Sequence, residues 1–153
     1  VKANGVLIVR QIGELKMKNV DLIKKALSVI KPRKMRDGLL GDVGSALITD
    51  KNKIYLGVCA GVGSNTFCAE QNAIGSMITK KEFNIKKIVA VWIDENKKVH
   101  IVPPCGNCRQ LMREIELDNM KNTEVVLDLD KTVLLKKLLP HDGGWKKIEI
   151  KKK

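Results

Sequence analysis

Aromatic residues and arginines are scarce in this sequence of 153 residues. It has one tyrosine, two phenylalanines and two tryptophans, and only five of its 29 basic residues are arginines. A net charge of +12 suggests a nucleic-acid partner. Single-strand binders, however, usually combine a basic groove with stacked aromatic rings, and arginine suits bidentate phosphate contacts better than lysine does. The sequence therefore favours a lysine-rich solvated surface, and nucleic acid is the less favoured partner.

Long apolar runs are also missing. No stretch approaches the roughly 20 apolar residues that span a bilayer, so we expect no membrane partner. The first residues lack the basic and then apolar pattern of a secretory signal, which predicts a soluble cytoplasmic protein. With 44% hydrophobic residues, the chain can build one domain with its own core. We predict an N-terminal extension at residues 1–18 with a candidate strand at Val6–Val9, a main domain at residues 19–145 and a basic tail at residues 146–153.

The hydrophobic pattern predicts an α/β protein. A helix follows Asn19, its predicted N-cap, and apolar residues recur at helical spacing up to Ile30. Two further helices begin near Cys68 and Cys105, and a short one covers residues 136–139. Loops are predicted at residues 31–41 and 61–67. The predicted strands are Val43–Thr49, Ile54–Cys59, Ile88–Ile93, Glu124–Leu129 and Thr132–Leu135. This order predicts a mixed sheet between helical layers.

Four cysteines carry the clearest chemical signal. Three of them stand in the motifs Cys68-Ala69-Glu70 and Pro104-Cys105-Gly106-Asn107-Cys108. Without a secretory signal, metal binding is a better interpretation than disulfides. A redox-active Cys-x-x-Cys pair is the rival for Cys105 and Cys108, but it would need neither Cys68 nor Glu70. Three thiolates with a carboxylate two residues beyond the first predict a catalytic Zn²⁺ with one open position.

The position of the cysteines at helix starts favours their thiolate form. Unpaired N–H groups and the positive end of the helix dipole stabilise a thiolate there. Arg109 is the predicted counter-charge to the three thiolates. Glu70 points away from Cys68 around the helix, so we predict that it does not bind the metal. Its predicted role is to accept a proton from zinc-activated water and to return it to the substrate.

One non-enzymatic alternative stays open at this point. Cys59 could act as a fourth ligand and close a structural Cys₄ site, which would leave Glu70 without a role. The histidines, His100 and His141, stand in no recognisable motif, and a surface or loop role is the default for both. No phosphate-binding glycine loop or Ser-His-Asp arrangement is present.

At these motifs the chain resembles the cytidine deaminase family, specifically its small homotetrameric members with three cysteine ligands. The Cys-Ala-Glu motif and the Pro-Cys-Gly-x-Cys-Arg-Gln motif are both intact, and the resemblance covers roughly Val20 to Trp145. It implies a three-layer α/β/α sandwich with a five-stranded mixed sheet, assembled as a homotetramer. It also implies that the N–H of Ala69, the carboxylate of Glu70 and the carbonyl of Pro103 recognise a cytosine ring.

The departures from the family concern the substrate's sugar and the thiolate charge. Cys59 and Gly61 stand where the family has an Asn-x-Glu pair that holds a sugar hydroxyl. Gly41 stands where the family has a Phe that lines the base pocket. Gln71 stands where many members have an Arg that offsets the thiolate charge. The loop before Cys68 and the C-terminal Leu-Leu-Pro with Trp145 are more similar to blasticidin-S deaminase.

The resemblance therefore implies zinc-dependent deamination of a cytosine nucleoside. A blasticidin-type aminonucleoside is the first alternative substrate. A nucleic-acid cytosine is a less favoured one.

Overall fold

The structure, a computed structural model, describes residues 17–143 and 146–150. Its helices are α1 (Asn19–Leu27), α2 (Ala69–Thr79), α3 (Gly106–Ile115), α4 (Asn119–Asn122) and α5 (Leu135–Leu138). Its strands are β1 (Arg33–Met35), β2 (Gly38–Thr49), β3 (Ile54–Val62), β4 (Asn65–Phe67), β5 (Ile85–Ile93), β6 (Val99–Ile101), β7 (Glu124–Val126) and β8 (Thr132–Leu134).

The strands form one mixed sheet. Its main path runs β4-β3-β2-β5-β7-β8, and β1 and β6 pair with β2 and β5 respectively. The β5–β7 pair is parallel and the other described pairs are antiparallel. β5 is therefore central, and most of its residues are buried, as its nearly unbroken apolar sequence predicts.

Helices cover both faces of the sheet. Side chains alternate along each strand, so neighbouring residues enter different cores. Ala46 of β2 and Val89 of β5 pack with α1 on one face. Leu47 follows Ala46 on β2, and Ile88 precedes Val89 on β5. Both pack on the other face of the sheet, against α2, α3 and α5. This arrangement confirms the predicted three-layer α/β/α architecture.

The predicted number of five strands is wrong. All five predicted strands are present, but β1, β4 and β6 add three short ones. β1 and β4 lie in segments predicted to be loops. These strands are three residues long and mostly exposed, so they carry no apolar alternation that a pattern could detect. Backbone pairing with longer neighbours holds them in place.

Asn19 is not the N-cap of the first helix. Lys18 occupies that position, and the Asn19 side chain instead accepts a hydrogen bond of 3.0 Å from Nζ of Lys87. Lys87 is buried within the sheet and also forms an ion pair of 3.1 Å with Glu124. A buried ammonium group needs such partners, which explains why Asn19 turns inward. The helix ends at Leu27, three residues before the predicted end.

Part of the sequence-based prediction falls outside the described residues. The candidate strand Val6–Val9 and the side chain of Trp145 lie there, and the three predicted segment boundaries stay predictions. Within the described part of the chain, residues 146–150 are exposed and contain no helix or strand. None of the described helices combines the length and apolar character needed to cross a bilayer.

Candidate metal centre and active site

Three cysteine sulfurs meet where α2 and α3 begin. The Sγ atoms of Cys68, Cys105 and Cys108 all lie within 4.8 Å of one another, and those of Cys68 and Cys105 are 3.6 Å apart. Sulfurs bound to one tetrahedral zinc ion at about 2.3 Å would lie about 3.8 Å apart. The observed spacing and the soft thiol donors therefore fit Zn²⁺, as predicted.

The start of each helix positions its cysteines. Cys68 and Cys105 are the N-cap residues of α2 and α3, with extended backbones. The N–H of Cys68 donates to Oε1 of Gln71 at 2.8 Å, and the N–H of Cys108 donates to Sγ of Cys105 at 3.5 Å. Both bonds satisfy polar groups at a helix terminus, so the turn that orients the sulfurs is fixed locally.

The three thiols differ in their electrostatic surroundings. Cys108 is fully buried, and burial followed by the nearby charge of Glu70 raises the pKa of its thiol. Burial likewise raises the pKa of Cys68. Burial alone would also raise the pKa of Cys105, but hydrogen bonds from the Cys108 N–H, from the Cys108 and Cys68 thiols and from the Asn107 N–H reverse this and lower it. A bound cation would favour the thiolate form of Cys68 and Cys108, which agrees with the metal-binding interpretation.

Glu70 lines a cavity of about 340 Å³ next to the thiols. Its side chain is buried, and this burial raises the pKa of the carboxyl group. A carboxyl with a raised pKa exchanges protons more readily near neutral pH, so the group suits general acid–base catalysis.

The cavity brings together most of the predicted site residues. It is lined by six of them: Cys59, Cys68, Ala69, Glu70, Pro103 and Cys105. Gly61 is not part of the lining and pairs with Thr66 on β4 instead. Sequence reasoning missed six other lining residues: Val43, Thr66, Phe67, Gln71, Val102 and Asn107. Four of them lie close in sequence to a cysteine motif, and this closeness was the signal that could have identified them as site residues: Thr66, Phe67, Gln71 and Asn107.

Arg109 contacts carbonyl oxygens rather than a sulfur. Its Nε donates to the carbonyl of Pro104 at 2.7 Å, and a terminal nitrogen donates to the carbonyl of Leu138 at 2.9 Å. These bonds connect α5 to the segment that leads into Cys105. The guanidinium thus holds the Cys105 turn against the C-terminal helix, and its role as a counter-charge stays a prediction.

Cys59 does not join the thiol cluster. Among the residues that the structure describes, the cluster contains only Cys68, Cys105 and Cys108. The Cys59 thiol lies 2.9 Å from Oδ1 of Asp42 and accepts the N–H of Val43 at 3.4 Å. This geometry does not support the alternative of a closed Cys₄ site.

Gly57 lets β3 approach the helix that carries Cys68 and Glu70. A Cβ atom at this position would lie 2.3 Å from the Ala73 nitrogen and 2.4 Å from the Ala69 carbonyl oxygen. We expect Gly57→Ala to push α2 away and to destabilise the fold by about 3 kcal/mol. Because the start of α2 holds Cys68 and Glu70, zinc affinity and turnover should fall as well. Urea unfolding and zinc titration would measure both effects.

Gly75→Ala is the matched control for this substitution. Gly75 lies on α2, the helix that Gly57 approaches, and a Cβ atom at Gly75 would meet nothing within 4 Å. Alanine should therefore be tolerated at Gly75 and should slightly stabilise the helix. Equal stability and equal zinc affinity in the two variants would contradict the proposed contact.

Comparison with known proteins places these motifs in a family. Residues 17–123 match the family described as "Cytidine and deoxycytidylate deaminase zinc-binding region". The blasticidin-S deaminase of Bacillus cereus is 35% identical over 104 residues, which cover 64% of this chain and 74% of that protein.

Solved structures are similar as well. The cytidine deaminase of Burkholderia pseudomallei is 26% identical with a TM-score of 0.62, over 81% of this chain and 98% of its own. The cytidine deaminase of Mycobacterium leprae, at 22% identity and a TM-score of 0.60, covers 80% of this chain and 98% of its own and shares the fold.

Proposed function

The chain belongs to the cytidine and deoxycytidylate deaminase family of zinc-dependent hydrolytic deaminases, and on that basis we propose that its substrate is a cytosine nucleoside. The substrate would be cytidine, deoxycytidine or a close analogue, and the products would be the uracil nucleoside and ammonia. One observation carries this proposal: a buried carboxylate lines one cavity together with Cys68 and Cys105, two members of the cluster of three thiols.

The thiols of Cys68, Cys105 and Cys108 would hold the zinc ion. When bound, zinc supplies the Lewis acidity that lowers the pKa of water. Glu70 accepts the proton from the attacking water at its carboxylate and donates it to the ring nitrogen. It then accepts the second proton, from the hydroxyl added to the ring carbon, and delivers it to the amino group; the carbon–nitrogen bond breaks, the ring carbonyl forms and ammonia leaves. Ala69 and Pro103 line the same cavity, where the N–H of Ala69 and the carbonyl of Pro103 would bind the edge of the ring.

A blasticidin-type aminonucleoside is the second candidate substrate. The relative from Bacillus cereus supports it, since that protein is named as a blasticidin-S deaminase and is 35% identical. Gly61 supports it as well, because it does not offer the strong hydrogen bond that a buried ribose hydroxyl needs. Cys59 departs from both candidates, since the Asn that it replaces is present in blasticidin-S deaminase as well. Both substrates present a cytosine ring to the same catalytic groups.

A panel of four substrates separates these possibilities. The zinc-loaded protein is incubated with cytidine, deoxycytidine, blasticidin S and a cytosine-bearing oligonucleotide, and ammonia release is followed. We expect turnover of cytidine or deoxycytidine. Release from blasticidin S alone would favour the second candidate, and release from the oligonucleotide alone would favour a nucleic-acid substrate. No release from any of them would refute the proposed substrate class.

Two further properties belong to this proposal. The family resemblance predicts a homotetramer, which light scattering after gel filtration would measure. The cytoplasmic location predicted from the sequence likewise stays a prediction.

A further inference from the structure

One row of side chains extends from the cavity across four strands. Cys59 of β3 and Val43 of β2 line the cavity, and the N–H of Val43 donates to Sγ of Cys59. Val43 is directly opposite Trp92 of β5, and Trp92 is directly opposite His100 of β6. Cross-strand partners project from the same face of a sheet. Trp92 and His100 therefore lie on the face that carries Cys59 and Val43.

Two neighbouring positions support this assignment. Gly57, two residues before Cys59, faces α2, because a Cβ atom there would touch Ala69 and Ala73. Val102, two residues after His100, is itself part of the cavity lining. Trp92 and His100, here called the Trp92–His100 shelf, do not line the cavity themselves. Each lies next to a residue that does: Trp92 is paired with Val43, and His100 precedes Val102 by two residues.

The Trp92–His100 shelf is exposed and held in a fixed geometry. The two ring centroids are 5.2 Å apart with an interplanar angle of 32°. His100 Nε2 lies 2.8 Å from Oδ2 of Asp94, whose other oxygen accepts the N–H groups of Asn96 and Lys98. The β5–β6 turn thereby anchors the imidazole. Trp92 keeps 37% of its surface exposed, and none of the residues that the structure describes accepts a hydrogen bond from its indole N–H.

We propose that the Trp92–His100 shelf binds the sugar ring of the nucleoside, an inference that rests on the proposed function. The reacting ring must lie beside Glu70 and the thiols, so the group attached to its N1 extends along the cavity wall. The C–H face of a sugar packs well on an aromatic ring, and its hydroxyls can accept the free indole N–H. The Cys59 thiol already contacts Asp42, which leaves Trp92 as the better donor.

Kinetics of Trp92→Ala test this assignment. We expect KM for cytidine to rise about tenfold, as loss of roughly 1.4 kcal/mol of binding predicts, with kcat changed less than about twofold. Val99→Ala is the control, because Val99 is exposed on β6, the strand of His100, but projects from the opposite face. An unchanged KM, or an equal rise for Val99→Ala, would overturn the proposal. So would a changed assembly mass in Trp92→Ala, since the shelf would then be a subunit interface.

A binding measurement on the natural side chain removes any dependence on turnover. With 5-fluorotryptophan incorporated, the chain gives two ¹⁹F resonances, and Trp145→Phe assigns the one from Trp92. We expect the product uridine to shift the Trp92 resonance and uracil to leave it in place. Equal shifts with both ligands would overturn the shelf as a sugar site.

Calorimetry with uridine separates the two proposals. Binding heat without a shift of the Trp92 resonance would overturn the shelf and leave the nucleoside substrate intact. No binding heat, together with no turnover of cytidine, would count against the nucleoside substrate and therefore against both.

Discussion

Glu70→Gln is expected to keep its zinc and to lower kcat by roughly 10³-fold, the range found for general acid–base groups. Gln preserves the size of the side chain and can still form hydrogen bonds, but its amide cannot accept and return a proton. Removing the charge also relieves the repulsion that helps to raise the pKa of Cys108, so zinc binding should not suffer. Ammonia release measures turnover, and elemental analysis measures zinc per chain.

Glu82→Gln is the matched control for this prediction. Glu82 is also a buried carboxyl, but it lies in the segment that follows α2, where it accepts a hydrogen bond from Tyr55 at 3.0 Å and pairs with Lys53 at 3.2 Å. We expect Glu82→Gln to lower the stability of the fold while kcat stays near that of the natural chain. Full activity of Glu70→Gln would disprove the proposed proton transfer, and zinc loss would show that Glu70 acts on the metal instead.

The local parts of the site could be predicted from sequence. The N-terminal end of a helix is a short-range feature, and the order of apolar residues placed α2 and α3 directly after Cys68 and Cys105. Three thiols at the starts of two helices then favoured one interpretation, a metal ion bound by all three. The structure places their sulfurs within 4.8 Å of one another, and the family match covers the same region.

The parts that depend on pairing between distant strands could not be predicted. Trp92 and His100 stand in no motif, and their position beside the cavity follows from the register of β2, β5 and β6. Hydrophobic periodicity indicates that a strand exists but does not give its register with a strand about fifty residues away. The prediction of Asn19 as an N-cap was wrong because of another long-range contact: its hydrogen-bond partner, Lys87, comes from β5.

Cys108→Ser should lower zinc affinity by roughly 10³-fold, since one of three protein ligands is lost from the site. Cys108 is the fully buried member of the cluster, so solvent cannot readily replace its sulfur. Serine keeps the approximate shape of the side chain, but its hydroxyl does not ionise near neutral pH. Without zinc the variant should release no ammonia from any substrate. Competition with a chromophoric chelator measures the affinity.

Cys59→Ser distinguishes loss of a ligand from loss of any thiol near the cavity. Cys59 lines the same cavity but contacts Asp42 instead of the other sulfurs, so this variant should keep its zinc and its catalytic step. Because zinc binds to the folded state, it should raise the melting temperature of the natural chain and of Cys59→Ser. It should not raise the melting temperature of Cys108→Ser. If Cys59→Ser lost zinc as completely as Cys108→Ser, Cys59 would be a fourth ligand. The site would then have no open position for water, and Glu70 would have no proton to move.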